Sequence, residues 1–276
     1  MPFPNQGNNH FNGIKNEKDV VKWMNEYSKN NINKYLEQEN NSLIKLWKHE
    51  GGTQQKKDAS FQLNNDEIWG VSIKNHDKGT FDWENTTKGV PIELKKKIED
   101  FKIKNKDIPI PEKGGIRDEL ENIFSSHLDN LSSLEINDLL NKHYQKEHDT
   151  KYIIINDMKS KSLILINKSS LDKYFNSLHN HNFILKSTSR AKTSRQIWIK
   201  TDDGNEINTN LRIRLHLNNG ITALLGKSNA NKSSVPCLKI QQDNVDKFIN
   251  NCENKISVSH NFNLQIDEEI SVEKMN

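Results

Sequence analysis

The sequence predicts an α/β (α+β) chain, with a mixed central sheet flanked by helices and a second α+β part beyond it. Three observations carry this expectation. Short β-prone runs occur in both halves, helical stretches with apolar residues at i, i+3 or i+4 separate them, and no motif recurs at a fixed period. A helix bundle would lack the first feature and a sandwich the second.

Residues 1–16 combine Asn, Gly, His and Pro without periodicity and read as a flexible N-terminal arm. From Glu17 onward, Val20, Met24 and Tyr27 share one helical face. A second helical pattern over 32–48 holds Ile32, Tyr35, Leu36, Leu43, Ile44 and Trp47, is interrupted by polar residues, and stops at Gly51-Gly52-Thr53. Two strand-like runs follow, 58–63 and 68–74. The turn composition between them, Asn64-Asn65-Asp66-Glu67, favours an antiparallel hairpin. Glu93 to Lys104 reads as a charged surface helix. Pro109, Pro111 and Gly114-Gly115 then punctuate the chain, so the expected division is 17–115 and 116–276. The second part opens with helices near 116–126 and 134–147. An apolar hairpin, 152–155 and 163–166, and a helix near 169–178 follow. Strands are expected at 183–187, 196–200 and 211–217, then a short helix at 243–250 and a weak strand at 263–267.

Composition excludes more than it assigns. Across 276 residues, 40 Lys and Arg against 37 Asp and Glu leave a net charge of +3, too mild to indicate a nucleic-acid partner unless the charges are unevenly placed. Mean hydropathy is low at -0.88, a deficit filled by Asn, Lys and Ser in the manner of an A/T-biased coding sequence. No apolar run approaches the roughly 20 residues needed to span a bilayer. The first residues lack the basic and apolar regions of a signal peptide. Cys237 and Cys252 form neither a metal motif nor a disulfide framework. The expectation is a soluble, cytoplasmic protein. The histidines at 143, 148, 179 and 181 have no Cys or acid at zinc spacing beside them.

The hairpin carries the sharpest chemical signal. In Gly70-Val71-Ser72-Ile73-Lys74 the side chains alternate, so Ser72 and Lys74 point the same way, and Asp58 at the start of the partner strand can lie beside them. A carboxylate able to hold a divalent cation then sits next to an ammonium able to steady a phosphate or help activate water. Phosphodiester hydrolysis needs those parts. The stretch from about Gly51 to Thr87 resembles the PD-(D/E)XK nuclease superfamily, the fold of most type II restriction endonucleases. That family places an Asp on one strand and an acid-x-Lys triplet on the next. Asp58 matches the first acid and Lys74 the lysine, while Ser72 stands where the family usually has Asp or Glu and Lys57 where it has Pro. The run Gly79-Thr80-Phe81-Asp82-Trp83-Glu84-Asn85-Thr86 is also similar to restriction-enzyme sequences. The resemblance implies a restriction-endonuclease-like fold and a Mg²⁺ cofactor. It also implies a helical glutamate to complete the site, for which Glu37 ranks first, with Glu39, Glu50, Asp82 and Glu84 as alternatives. On that basis Asp58 and Glu37 would be metal ligands, and Lys74 and Ser72 would complete the catalytic set.

Arginine placement supplies the binding signal. The chain has five arginines, and four of them are Arg190, Arg195, Arg212 and Arg214. Between Lys186 and Lys239 basic residues exceed acids by seven, which makes the rest of the chain net acidic. Arg offers a planar fork for phosphate or guanine that Lys cannot imitate. Arg212 and Arg214 share a strand face while Leu211, Ile213 and Leu215 face inward. Lys227, Lys232 and Lys239 add charge, and Gln241 and Gln242 suit adenine edges. The segment 116–276 is therefore the expected DNA-recognition part and 17–115 the catalytic part. Together they describe a Mg²⁺-dependent double-stranded DNA endonuclease of type II restriction kind, acting as a homodimer on a symmetric site. The alternative is a DNA-binding or phage/virion-associated protein that retains the nuclease fold without catalysis.

Overall fold

The computed structural model describes residues 8–50, 57–76, 79–86, 90–104, 114–146, 150–178, 181–187, 193–216 and 237–260. Helix α1 spans Asn8–Glu26 and buries Val20, Val21 and Met24, the apolar stripe at i, i+1 and i+4 that its sequence carries. Residues 8–16 belong to this helix, and Asn16 is buried against Asn156, so they are not a free arm. Asn30 caps α2 (Asn31–Glu39) by accepting the Asn33 amide at 2.8 Å. The helix expected over 32–48 ends early. After the C-cap Asn40, Asn41 takes a φ of 48°, a left-handed conformation that asparagine tolerates, and the chain continues as strand β1 (Ile44–His49). The polar run 37–42 offers no apolar stripe to carry the helix on.

A six-stranded mixed sheet follows, in the order β1-β2-β3-β5-β6-β11. β1, β2 (Ala59–Leu63) and β3 (Ile68–His76) form an antiparallel meander, with the expected hairpin between β2 and β3. β3 pairs in parallel with β5 (Tyr152–Asp157), a connection that requires a long crossover. That crossover holds α3 (Ile92–Lys104), α4 (Ile116–Asp129) and α5 (Ser133–Lys146). It also contains β4 (Thr80–Thr86), which leaves for a second sheet. β6 (Ser162–Asn167) and β11 (Lys255–Ser259) complete the first sheet antiparallel. The second sheet is five-stranded and antiparallel, in the order β4-β10-β9-β8-β7. It contains β7 (Asn182–Ser187), β8 (Ser194–Lys200), β9 (Glu206–His216) and β10 (Cys237–Asp243). Helices α6 (Lys168–Asn176) and α7 (Val245–Asn251) pack beside it.

Two hydrophobic cores hold these layers. One face of the first sheet (Trp47, Phe61, Val71, Ile73, Tyr152, Ile154) meets α1 and α2. The opposite face (Ile153, Ile155, Ile164, Ile166) meets the remaining helices and the inner face of the second sheet, including Trp83, Ile213 and Ile240. Every residue of β5 is buried, as expected for a strand covered on both faces. The molecule is α+β with a mixed sheet. The division expected at 115 does not separate two bodies: the first sheet takes strands from both sides of it, and β4 joins strands from the second part. The strands on either side of the Pro and Gly punctuation pair across it. Among the described residues no helix is long and apolar enough to cross a membrane. The strand expected at 263–267 lies outside the described residues, whereas β11 and β10 were not anticipated.

Candidate active site and charged sheet face

β2 and β3 alternate as the hairpin requires. Ala59, Phe61, Val71 and Ile73 enter one core, which leaves Asp58, Ser60, Ser72 and Lys74 on the other side. Asp58 Oδ2 accepts the Ser72 hydroxyl at 3.0 Å and the Ile73 backbone amide at 2.6 Å. These bonds fix the carboxylate at the mouth of the hairpin. Ser72 is buried and serves as the support of Asp58, not as a charged partner. Lys74 lies on the same face and donates to the Trp83 carbonyl of β4 at 3.2 Å, so the second sheet positions the ammonium.

Glu37 does not face the hairpin, whereas Glu17 of α1 feels the charges of Asp58 and Lys74. Burial raises the Glu17 carboxyl above the usual range; the His49 hydrogen bond opposes this, the Asp58 charge adds to it, and Lys74 lowers it. Its Oε2 lies 2.9 Å from His49 Nε2. Glu37 instead accepts the Ile44 amide at 3.0 Å and ties the end of α2 to β1. Glu39 accepts the Tyr152 hydroxyl at 2.7 Å, Glu50 accepts Ser60 Oγ at 2.6 Å, and Asp82 accepts Lys239 Nζ at 2.7 Å. The Glu84 side chain lies outside the described ones. A signal for Glu17 was present: it stands at i relative to Val20, Val21 and Met24 at i+3, i+4 and i+7, in phase with the buried stripe.

Asp58 Oδ1 and Glu17 Oε1 accept no hydrogen bond among the described residues, which leaves each carboxylate one oxygen for a cation. Among the described residues no group of three or more His, Cys, Asp or Glu side chains could hold a metal. A closed zinc site is therefore not built from them. Carboxylate, water and phosphate oxygens are the donors that Mg²⁺ takes.

Among the described residues no helix covers the outer face of the second sheet, where Arg212, Lys239 and Gln241 are half-buried and Arg214 exposed. Arg212 and Arg214 project there, with Leu211, Ile213 and Leu215 inward as the alternation requires. Lys239 and Gln241 stand opposite Arg214 and Arg212 in the register. The face is less basic than the sequence count suggested. Arg212 Nε and Nη2 donate to Asp243 Oδ2 at 2.9 and 2.6 Å, and Lys239 pairs with Asp82. Both acids come from outside the 186–239 window. Arg214 is exposed and makes no ion pair among the described residues.

Two further expectations are corrected. Arg195 faces inward and is 4 % exposed. It donates through Nε and Nη2 to the two Asp129 oxygens at 2.8 and 3.1 Å, to Ser125 Oγ at 2.5 Å, and through Nη1 to the Ser194 carbonyl. Its alternation with Ile197 and Ile199 puts it under α4, where it clamps helix to sheet. Gln242 shares the inward phase of Leu238 and Ile240 and is fully buried. Its Oε1 accepts Trp83 Nε1 at 3.1 Å and Tyr174 OH at 3.2 Å, so it reads no base from the outer face. Arg190, Lys227 and Lys232 lie outside the described residues.

No protein-family model matches the chain, and neither a characterised protein nor a solved structure matches it. The chemistry of the site must speak for itself.

Proposed function

We propose that the chain is a Mg²⁺-dependent endonuclease of double-stranded DNA, of type II restriction kind, built on a restriction-endonuclease-like PD-(D/E)XK core. The observation that carries this reading is Asp58, held by Ser72 Oγ and Ile73 N on the strand face that also bears Lys74. Glu17 supports it as the helical acid of the site, within reach of the charges of both Asp58 and Lys74. Asp58 and Glu17 would hold Mg²⁺, which when bound polarises a phosphate and lowers the pKa of water. Ser72 keeps Asp58 oriented. Lys74, steadied by the Trp83 carbonyl, balances charge developing on the phosphate. Arg214, with Arg212, Lys239 and Gln241 around it, would meet the duplex on the outer sheet face. A homodimer would cut both strands of a symmetric site.

One observation favours a second reading, DNA binding without catalysis: a serine occupies the position where the superfamily has its second acid. Incubating supercoiled plasmid with the protein, with and without Mg²⁺, separates the two. The nuclease reading expects nicked or linear product only with Mg²⁺, and not with D58N. Retarded but intact plasmid under every condition would leave the binding reading standing and overturn the catalytic one.

A further inference from the structure

Trp198 stands on the outer face of the second sheet. β8 turns Ile197 and Ile199 inward, so Gln196, Trp198 and Lys200 point out, successive members about 7 Å apart. The indole is half-buried and keeps part of its surface open to solvent. Its Nε1 donates to Gln196 Oε1 at 3.3 Å, which leans the ring along the strand. Ile184 of β7, its partner in the register, flanks it on the same face. Lys186 places its ammonium 4.2 Å from the ring centroid and pairs with Glu206, the two side chains being 35 and 39 % exposed. At such exposure the cation–π contact and the ion pair each contribute at most about fivefold to an equilibrium. A nucleobase stacked on an aromatic ring contributes up to about 150-fold. A base therefore displaces the ammonium, which gains a phosphate of the same strand.

The groups around the indole suit such a ligand. Lys200 and Arg214 are exposed and make no ion pair among the described residues. Arg212 stands beside Gln196 in the register and Gln241 beside Arg212, a row of planar groups that hydrogen-bond base edges. The width of the face decides which form of DNA offers a base to Trp198. Five strands about 4.8 Å apart span about 19 Å, whereas the major groove is about 12 Å wide. The sheet cannot enter the groove. A duplex can rest phosphates on Arg214, but only an unpaired strand brings a base onto the indole.

We propose that the outer face of the second sheet also binds single-stranded DNA, with one base stacked on Trp198, the neighbouring phosphates on Lys186 and Lys200, and the strand leading on toward Arg214. The inference rests on DNA as the partner of this face and is independent of cleavage. The experiment measures fluorescence anisotropy of a labelled oligothymidylate of about 12 nucleotides, within the length that such surfaces cover, and of a duplex of equal length, both without Mg²⁺. Saturable binding of the single strand by the full chain is expected. Trp198→Leu should weaken it by about fivefold or more and leave the duplex within about twofold, and Trp198→Phe should restore most of the loss. Lys200→Ala, at an exposed position, should lower the salt slope of single-strand binding by about 0.7. Matching melting temperatures verify that the variants are folded. No saturable single-strand binding, an unchanged affinity in Trp198→Leu, or an equal loss for single strand and duplex would each overturn the assignment. A protein that cuts plasmid yet fails these tests leaves the nuclease reading standing, and one that binds the single strand through Trp198 without cutting does the reverse.

Discussion

Replacing Arg195 with Met tests whether the scarce arginines share one duty. The substitution keeps an apolar stem of similar length and deletes the guanidinium, which makes two hydrogen bonds to Asp129, one to Ser125 and one to the Ser194 carbonyl. Hydrogen bonds to charged groups are worth roughly 1.5–3 kcal/mol each. The Asp129 side chain is 55 % exposed and regains water when the arginine goes, which discounts its share. The net loss should be about 2–4 kcal/mol of folding stability. For a chain of this size that corresponds to a fall in melting temperature of roughly 5–12 °C. The Arg195 hydrogen bonds hold the Asp129 carboxyl below its usual range. A depressed carboxylate stabilises the fold above its unfolded pKa and loses that contribution as pH falls through its folded pKa. The gap between wild type and variant should therefore be full at neutral pH and narrow in strong acid. The assay is thermal melting across pH, paired with DNA affinity against salt at a temperature where both proteins are folded. The affinity and its salt slope should not change. A variant that melts like wild type but binds DNA with a shallower salt slope would refute the clamp and return Arg195 to the phosphates.

Asp58→Asn should retain both hydrogen bonds through the amide oxygen while losing the charge, and Lys74→Met should lose the ammonium while keeping an apolar stem. Each should lower plasmid cleavage by about 10³-fold or more, several kcal/mol of transition-state stabilisation, with DNA affinity within about twofold; cleavage near the wild-type rate by either would end the catalytic assignment. Glu17→Gln should raise the Mg²⁺ concentration needed for half-maximal cleavage. Because the Glu17 carboxyl is raised, its ionisation costs stability as pH climbs between its unfolded and folded values, so the variant should melt at or above wild type at pH 7; a lower melting temperature with unchanged Mg²⁺ response would make Glu17 purely structural. On the outer sheet face, Arg214→Ala should reduce the salt slope of DNA binding by about one, and Arg212→Ala by less because Asp243 already neutralises it; equal slopes for both variants and wild type would move the interface elsewhere.

What was legible in the sequence was whatever a local period decides. Period-two alternation placed Ser72 with Lys74 and Arg212 with Arg214, and the structure keeps both pairs on their faces. The same rule, applied to β10 and β8, would have turned Gln242 and Arg195 inward, because Leu238, Ile240, Ile197 and Ile199 fix the phase. The helical acid was missed for a different reason. Glu37 lies close in sequence to the hairpin yet is held by the Ile44 amide, whereas the helix whose acid feels the Asp58 and Lys74 charges is distant in sequence. Charge counting failed where acids arrive from distant segments, as Asp82 does beside Lys239, 157 residues away. No window along the chain reports such a neighbour.

The crossing of strands between the two sheets has a kinetic consequence. β4 follows β3 within a few residues but finds its partner only in β10, and the parallel pairing of β3 with β5 closes another long loop. Contacts of such sequence separation slow folding, since the entropy of closing the loop is lost before any pairing repays it. As the chain emerges from the ribosome, the hairpin bearing Asp58 can form early. The carbonyl of Trp83 that positions Lys74, however, is held in place only once β10 has been made. Nascent chains would thus carry the carboxylate and the lysine long before the Trp83 carbonyl fixes the ammonium, and the arrangement would be completed only after β10 has emerged.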